Sequence, residues 1–349
     1  MTEIPSEGPL RRTFLKEVAF AATGLFAGGH TGAWAAVVPN WKKQIGLALY
    51  TVRDLMATDF EGILAKVAQM GYQEIEPANG YDNMNAKEFR GMLDRYGLRM
   101  PSTHTNYPAG TGAELERQLE AQQIMGLKYT EIISAAIRNV PAGADRRPPA
   151  ASEPGAYYNP ATHVVHNSFK EVAAFGPYQP PATVDSVKRR AAELNANAKI
   201  AGKFGIKLFV HNHTGEFERL VNDDRTTYDV LLAETDPELV TMQLDIGWAY
   251  IAGVDPIAMF QNNPGRYELW HIKDVFGIKT VDPKLSPNQR VNNMAFAPVG
   301  VGQIDYKKVF SYAGMAGLKH FFVEQDNAAS FGDSLAAARV SFENLNKVL

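Results

Sequence analysis

The sequence predicts an α/β fold, a single (β/α)8 TIM barrel. Short apolar runs alternate with helix-length amphipathic stretches from residue 45 to the end, a pattern that builds parallel sheets. Eight such units are present, and eight parallel strands close into a barrel. The turn after the first strand reads Tyr50-Thr51-Val52-Arg53. It lacks the glycine-rich phosphate loop that an open doubly wound sheet usually places there.

The elements follow in order. The first strand covers 45–50. Phe60, Ile63, Leu64, Val67 and Met70 then recur at helical spacing, and Gly71 ends the helix. Residues 73–76 make a short second strand, and 87–96 a helix stopped by Gly97. The third strand is 98–104, and its helix, 114–125, is closed by Gly126. The fourth strand is 129–133. Periodicity then fails over 136–182, which is rich in Pro, Ala and Gly. Long irregular segments in compact domains are usually functional or disordered, so this stretch reads as an insertion over the barrel mouth, with Tyr157 and Tyr158 able to close it. A helix over 184–204, ended by Gly205, restores the pattern. The fifth strand is 206–211, followed by a helix over 228–234. The sixth is 239–245, with a short helix from Pro256. The seventh is 268–272, followed by a long loop, 275–303, and a helix over 306–316. The eighth strand is 320–324, and a last helix covers 335–348. The barrel domain spans 40–349.

Residues 1–35 read as an address. Arg11-Arg12-Thr13-Phe14-Leu15-Lys16 precedes an apolar, Gly/Ala-rich run to about Gly29, and Ala33-Trp34-Ala35 offers a cleavage site. The arginine pair resembles the twin-arginine export signal, with Leu10 where Ser or Thr is usual. A periplasmic or secreted location is expected. The apolar run is too short for a stable span, so no membrane insertion is expected after cleavage. A net charge of −3 gives no electrostatic case for nucleic acid as partner. With no cysteine in the chain, disulfides, thiolate ligands and cysteine nucleophiles are excluded.

The strand ends carry the chemistry. The second ends in Glu76 and the third in His104. The fifth ends in His211-Asn212-His213 and the sixth in Asp245. The seventh opens onto His271-Ile272-Lys273-Asp274, and the eighth ends in Glu324-Gln325-Asp326. Barrel active sites sit at this face, so these residues converge. Each has a plainer reading: a strand-end Asp is more often a turn former or helix cap. His320 opens its strand at the opposite face and reads as structural. His163 and His166 fall in the insertion, and His30 in the signal. The coincidence of four consecutive strands ending in metal-competent side chains favours a site, because buried unpaired carboxylates are costly without a cation. Mixed nitrogen and oxygen donors suit Mn²⁺, Co²⁺, Zn²⁺, Fe²⁺ or Mg²⁺.

Seven segments together resemble the xylose isomerase-like barrel superfamily, in its sugar phosphate isomerase/epimerase branch. They are 45–53 (IGLALYTVR), 70–76 (MGYQEIE), 210–213 (VHNH), 244–248 (LDIGW), 270–274 (WHIKD), 298–304 (PVGVGQI) and 323–326 (VEQD). The resemblance implies one divalent ion, Mn²⁺ or similar, held by His211, Asp245, His271 and Glu324. It also implies a small carbohydrate substrate and, as in many relatives, a homo-oligomer. One departure stands out. Sugar epimerases of the superfamily carry a glutamate where this chain has His211, so their two-carboxylate acid/base pair is not reproduced.

Such a site predicts proton removal beside a sugar carbonyl, the ion stabilising the resulting enediolate. Glu324 is the first candidate base and His213 the second; Lys273 is placed to polarise an oxygen. Glu76, His104 and Trp248 are expected to line the sugar site. Isomerisation or epimerisation is the first expectation. The alternative is β-elimination by a lyase or dehydratase acting on a keto-sugar, keto-glycoside or inosose, where one base and a metal suffice. A non-catalytic sugar-binding barrel is the third.

Overall fold

The computed structural model describes residues 40–56, 58–77, 84–104, 112–131, 157–159, 164–166 and 182–349. The expected export signal and most of the 136–182 insertion lie outside the described residues. So do the side chains of Tyr157, Tyr158 and His166.

Among the described residues, seven parallel strands form one sheet: β1 (Ile45–Ala48), β2 (Glu74–Glu76), β3 (Tyr129–Thr130), β6 (Lys207–His211), β7 (Val240–Asp245), β8 (Leu269–Ile272) and β11 (His320–Val323). Their order across it is β2-β1-β11-β8-β7-β6-β3. Within the insertion, β4 (Tyr157–Asn159) and β5 (Val164–His166) pair as an antiparallel hairpin.

The eighth position of the ring belongs to residues 98–104, expected as the third strand. This segment makes one isolated bridge, Glu74 to Arg99. Its backbone still bonds both neighbours. Arg99 N–H donates to Gln73 O at 2.9 Å, and Tyr129 N–H donates to Pro101 O at 2.9 Å. Pro101 has no N–H to give, so a regular ladder cannot form there although the ring is closed.

Side chains alternate across each strand, and the barrel separates two cores accordingly. Inside it, Ala48, Tyr129, Phe209, Leu269 and Phe322 form one buried apolar cluster. A much larger cluster fills the space between strands and helices, with Leu47, Val210, Leu244, Trp270 and Val323 facing outward. The interior cluster is a floor. The residues two positions further along β6, β8 and β11 are His211, His271 and Glu324, so they stand on the same face directly above Phe209, Leu269 and Phe322. Beneath the floor, interior charges pair: Lys207 with Glu268 at 2.7 Å, and His320 with Glu74 at 2.9 Å.

Helix boundaries follow local chemistry. Phe60–Met70 is capped by Asp59, which accepts from Gly62 N–H, and ends at Gly71. Gly71 has φ 105°, and a Cβ there would lie 2.5 Å from the Phe342 ring, so two constraints demand glycine. A helix at Ile246–Ala252 was not expected from the sequence. It is buried almost all round, so its residues show no amphipathic period. The expected helix over 306–316 divides into Tyr306–Phe310 and Ala313–Ala316. The 275–303 loop contains one antiparallel pair, β9 (Asp274–Phe276) with β10 (Ala295–Ala297). Asp274 clamps that loop: its carboxylate accepts the backbone N–H groups of Val275, Gly300, Gly302 and Ile304 at 2.9–3.1 Å. No helix among the described residues is long and apolar enough to cross a membrane.

Candidate metal centre

The parallel register aligns the strand ends. Asp245 lies beside His271, and His271 beside Phe322, two residues before Glu324. Asp245 Oδ2, His271 Nδ1 and Glu324 Oε2 therefore meet at the mouth. His271 Nδ1 is 2.6 Å from Glu324 Oε2 and 3.7 Å from Asp245 Oδ2. His211 Nε2 is 3.9 Å from Asp245 Oδ2. All four residues are buried.

The plain reading of Asp245 is also correct, for one of its two oxygens. Oδ1 caps the helix Ile246–Ala252 by accepting Trp248 N–H at 2.9 Å. Oδ2 is buried, with the Lys273 ammonium at 3.1 Å and His271 Nδ1 at 3.7 Å as its polar neighbours. Buried carboxylates crowded together in this way favour a cation among them. Two atoms that each lie about 2.0–2.2 Å from one ion can be at most roughly 4.4 Å apart. The three distances among His211, Asp245, His271 and Glu324 all meet that limit. Asp245 Oδ2, His271 Nδ1 and Glu324 Oε2 thus fit a divalent ion and would hold it, with His211 Nε2 reaching toward the same Asp245 oxygen.

Lys273 fills the adjoining position. Its ammonium is 3.1 Å from Asp245 Oδ2, 2.9 Å from Glu324 Oε2 and 2.9 Å from Asp326 Oδ2. Burial alone would lower its pKa, but these three carboxylates raise it above the usual lysine range. Glu324 shows the reverse balance. Burial would raise its pKa, but Lys273 and His271 hold it well below the usual carboxylate range. For His271, burial opposes the charged form, but Glu324 and Glu76 push the pKa well above the ordinary histidine value. His211 is driven the other way, by burial and by the positive groups around it, and stays neutral.

Glu76 and His104, expected to line the sugar site, form a layer behind these four. Glu76 is 1% exposed, and its oxygens receive His271 Nε2 at 2.5 Å, Gln243 Nε2 at 2.8 Å and the Ser102 hydroxyl. His104 faces Glu131 Oε2 through Nδ1 at 3.0 Å and Gln243 through Nε2. Trp248 is 1% exposed and packs edge-on against His213 and Phe296. His213 is partly exposed at the mouth, with its ring centroid 4.8 Å from that of His211. Gln243, Glu131, Ser102 and Asp326 were missed as site residues. A signal for two of them was present. Gln243 precedes Asp245 by two and Asp326 follows Glu324 by two, so strand alternation puts each on its neighbour's face.

A closed parallel barrel with a buried histidine–carboxylate cluster at the C-terminal ends of its strands defines the class: a TIM barrel with its candidate site where barrel enzymes carry theirs. The chain belongs to the xylose isomerase-like TIM barrel family, whose pattern matches residues 64–344. Inosose dehydratase of Geobacillus thermodenitrificans is 31% identical over 141 residues, 39% of this chain and 46% of that protein. Inosose dehydratase of Bacillus cereus (strain AH820) is 31% identical over 159 residues, 43% of this chain and 51% of that protein. The chain thus spans about half or less of the length of these curated relatives. Among solved structures, a sugar phosphate isomerase/epimerase from Parabacteroides distasonis is similar, with a TM-score of 0.60 and 18% identity over 91% of this chain and 98% of that one. An IolI protein with a bound zinc atom has a TM-score of 0.55 and 13% identity, covering 87% of this chain and 97% of that one. These structural likenesses show the fold.

Proposed function

We propose that the chain is a divalent-metal-dependent enzyme that removes a proton beside the carbonyl of a keto-sugar or keto-polyol and then expels a β-hydroxyl as water. The carrying observation is the set of buried atoms of Asp245, His271 and Glu324 close enough to share one ion, with His211 Nε2 3.9 Å from the same Asp245 oxygen. An ion held there supplies Lewis-acid polarisation of the substrate carbonyl. The residues supply the rest. Lys273, kept protonated, donates to the oxygen on which charge develops. His213 takes the proton from carbon and returns it to the leaving hydroxyl. A carbon–carbon double bond forms, water leaves, and the histidine ends as it began. Glu324 is a poor base, because Lys273 and His271 hold it ionised against the opposing effect of burial.

Two points favour elimination over isomerisation. The place where epimerases carry a second carboxylate is His211, and inosose dehydratases are among the relatives by sequence. Isomerisation or epimerisation is the second reading, favoured by Glu324 and His213 lying on different strands of the mouth. The Arg11-Arg12 motif supports a site of action outside the cytoplasm. Proton NMR in D₂O with a panel of keto-polyols and keto-sugars tests the reaction. A new vinylic signal with loss of water supports elimination. Deuterium beside the carbonyl with nothing expelled would replace it by the second reading, and no turnover would reject both. Metal analysis of purified protein tests the ion.

A further inference from the structure

His104, His211 and His271 converge behind the proposed ion site, with their nitrogens close enough to hold a metal themselves. Gln243 lies among them. We propose that Gln243 is a positioning residue: it fixes the tautomer of His211 so that Nε2 faces Asp245 as a bare ligand nitrogen. The proposal rests on the divalent-ion reading above.

The argument is a count of donors and acceptors. Glu76 is a carboxylate surrounded by three donors, the Ser102 hydroxyl, Gln243 Nε2 and His271 Nε2, and accepts from each. Its Oε1 receives Gln243 at 2.8 Å, so the amide must turn its NH₂ toward Glu76. Gln243 Oε1 then points the other way. There it meets His211 Nδ1 at 2.9 Å and His104 Nε2. An amide oxygen only accepts, so both ring nitrogens must carry hydrogen. With the hydrogen on Nδ1, Nε2 is the His211 nitrogen left to bind an ion, 3.9 Å from Asp245 Oδ2. Glu76 Oε2 orients the His271 ring. It takes the hydrogen of Nε2 at 2.5 Å and leaves Nδ1 as the nitrogen toward Glu324 and Asp245. One glutamine and one glutamate thus orient both histidines from behind. The same count argues against a second ion between the three rings, since the nitrogens that would bind it are occupied by Gln243 and Glu76.

Long-range proton–nitrogen NMR of the full chain, labelled at histidine and stripped of metal, reads which nitrogen of His211 bears hydrogen. Competition against a chromogenic chelator reads Zn²⁺ affinity and stoichiometry. The expected results are Nδ1–H on His211 and one Zn²⁺ per chain. Gln243→Leu should mix the tautomers and weaken Zn²⁺ about 10–100-fold, as loss of such outer partners typically does. Gln243→Glu, with a proton held on the oxygen that faces Glu76, keeps an acceptor toward both rings and should retain the Nδ1–H signal. Nε2–H on wild-type His211, Zn²⁺ affinity in Gln243→Leu within twofold of wild type, or a second Zn²⁺ that His104→Ala removes would each overturn the proposal. If Gln243→Leu fails to fold, the wild-type spectrum decides alone. A wild type that binds no Zn²⁺ or Mn²⁺ sinks the ion reading instead, and the tautomer measurement stays separate from it.

Discussion

Replacing Lys273 with methionine keeps most of the stem and removes the charge. The ammonium is 1% exposed and lies 2.9–3.1 Å from oxygens of Asp245, Glu324 and Asp326. At about 3 Å and an effective dielectric of about 20, each attraction is on the order of 5 kcal/mol before desolvation. Desolvation offsets most of that, yet removing one partner of a buried pair still costs about 3–5 kcal/mol, because the other charge is stranded. The same loss is expected here in chelator. A divalent ion should restore more stability to Lys273→Met than it adds to wild type. Wild type gains about 4 kcal/mol at a thousandfold excess over Kd, whereas in the variant the ion also replaces the missing positive charge. The pH dependence has a definite sign. The folded pKa lies above the ordinary lysine value of 10.5, so the contribution is complete below that pH and is lost only as the pH rises through the folded value. The gap between wild type and variant should therefore stay level from pH 7 to 9. Urea unfolding followed by tryptophan fluorescence, with chelator and with Mn²⁺, measures both quantities. A variant within about 0.5 kcal/mol of wild type in chelator, against the expected 3–5, refutes the charge argument. Equal stabilisation of both by Mn²⁺ refutes the link to an ion.

Three other outcomes are expected. Asp245→Asn keeps an oxygen for the Trp248 cap but loses the charged ligand, so metal affinity should fall at least about 100-fold while the chelated protein loses no more than about 2 kcal/mol. Asp274→Ala strands four backbone N–H groups; urea unfolding should show a loss of about 3–5 kcal/mol, with faster hydrogen exchange at Gly300, Gly302 and Ile304. The His104–Glu131 pair sets a pH window. For His104, burial opposes a raised pKa but Glu76 and Glu131 prevail, so its contribution is full below 6.5 and fades as pH rises. For Glu131, burial is outweighed by His104 and the pKa is lowered, so its contribution is full above 4.5 and fades as pH falls. Urea midpoints of chelated wild type should therefore exceed those of Glu131→Gln most between about pH 4.5 and 6.5, and parallel curves would dismiss the pair.

Much of this was legible because a barrel strand is periodic. Apolar runs marked the strands, and polar residues at their C-terminal ends marked the mouth: His211, Asp245, His271 and Glu324 stand there, whereas Lys207, Glu268 and His320 lie at the opposite ends of the same runs. The residues that were hard to read are those whose role depends on a partner from another strand. Pro101 interrupts a ladder whose closure comes from Gln73 and Tyr129. Ile246–Ala252 is apolar on all sides because the 275–303 loop and neighbouring strands cover it, so no helical period survives. Gln243 is a neutral amide inside a buried strand, and by itself it reads as an oddity. Its meaning comes only with Glu76, 167 positions away, which turns the amide, and with His104 and His211, which the turned amide addresses. Glu76 shows the same thing from the other side. A carboxylate at a strand end reads as a group for substrate, but three donors from different strands already surround it, and it acts on the site by holding His271. The outer ring of donors was visible in single strands. The layer that orients it exists only as contacts between strands, and those contacts are what the substitutions at Lys273, Asp245 and Gln243 separate.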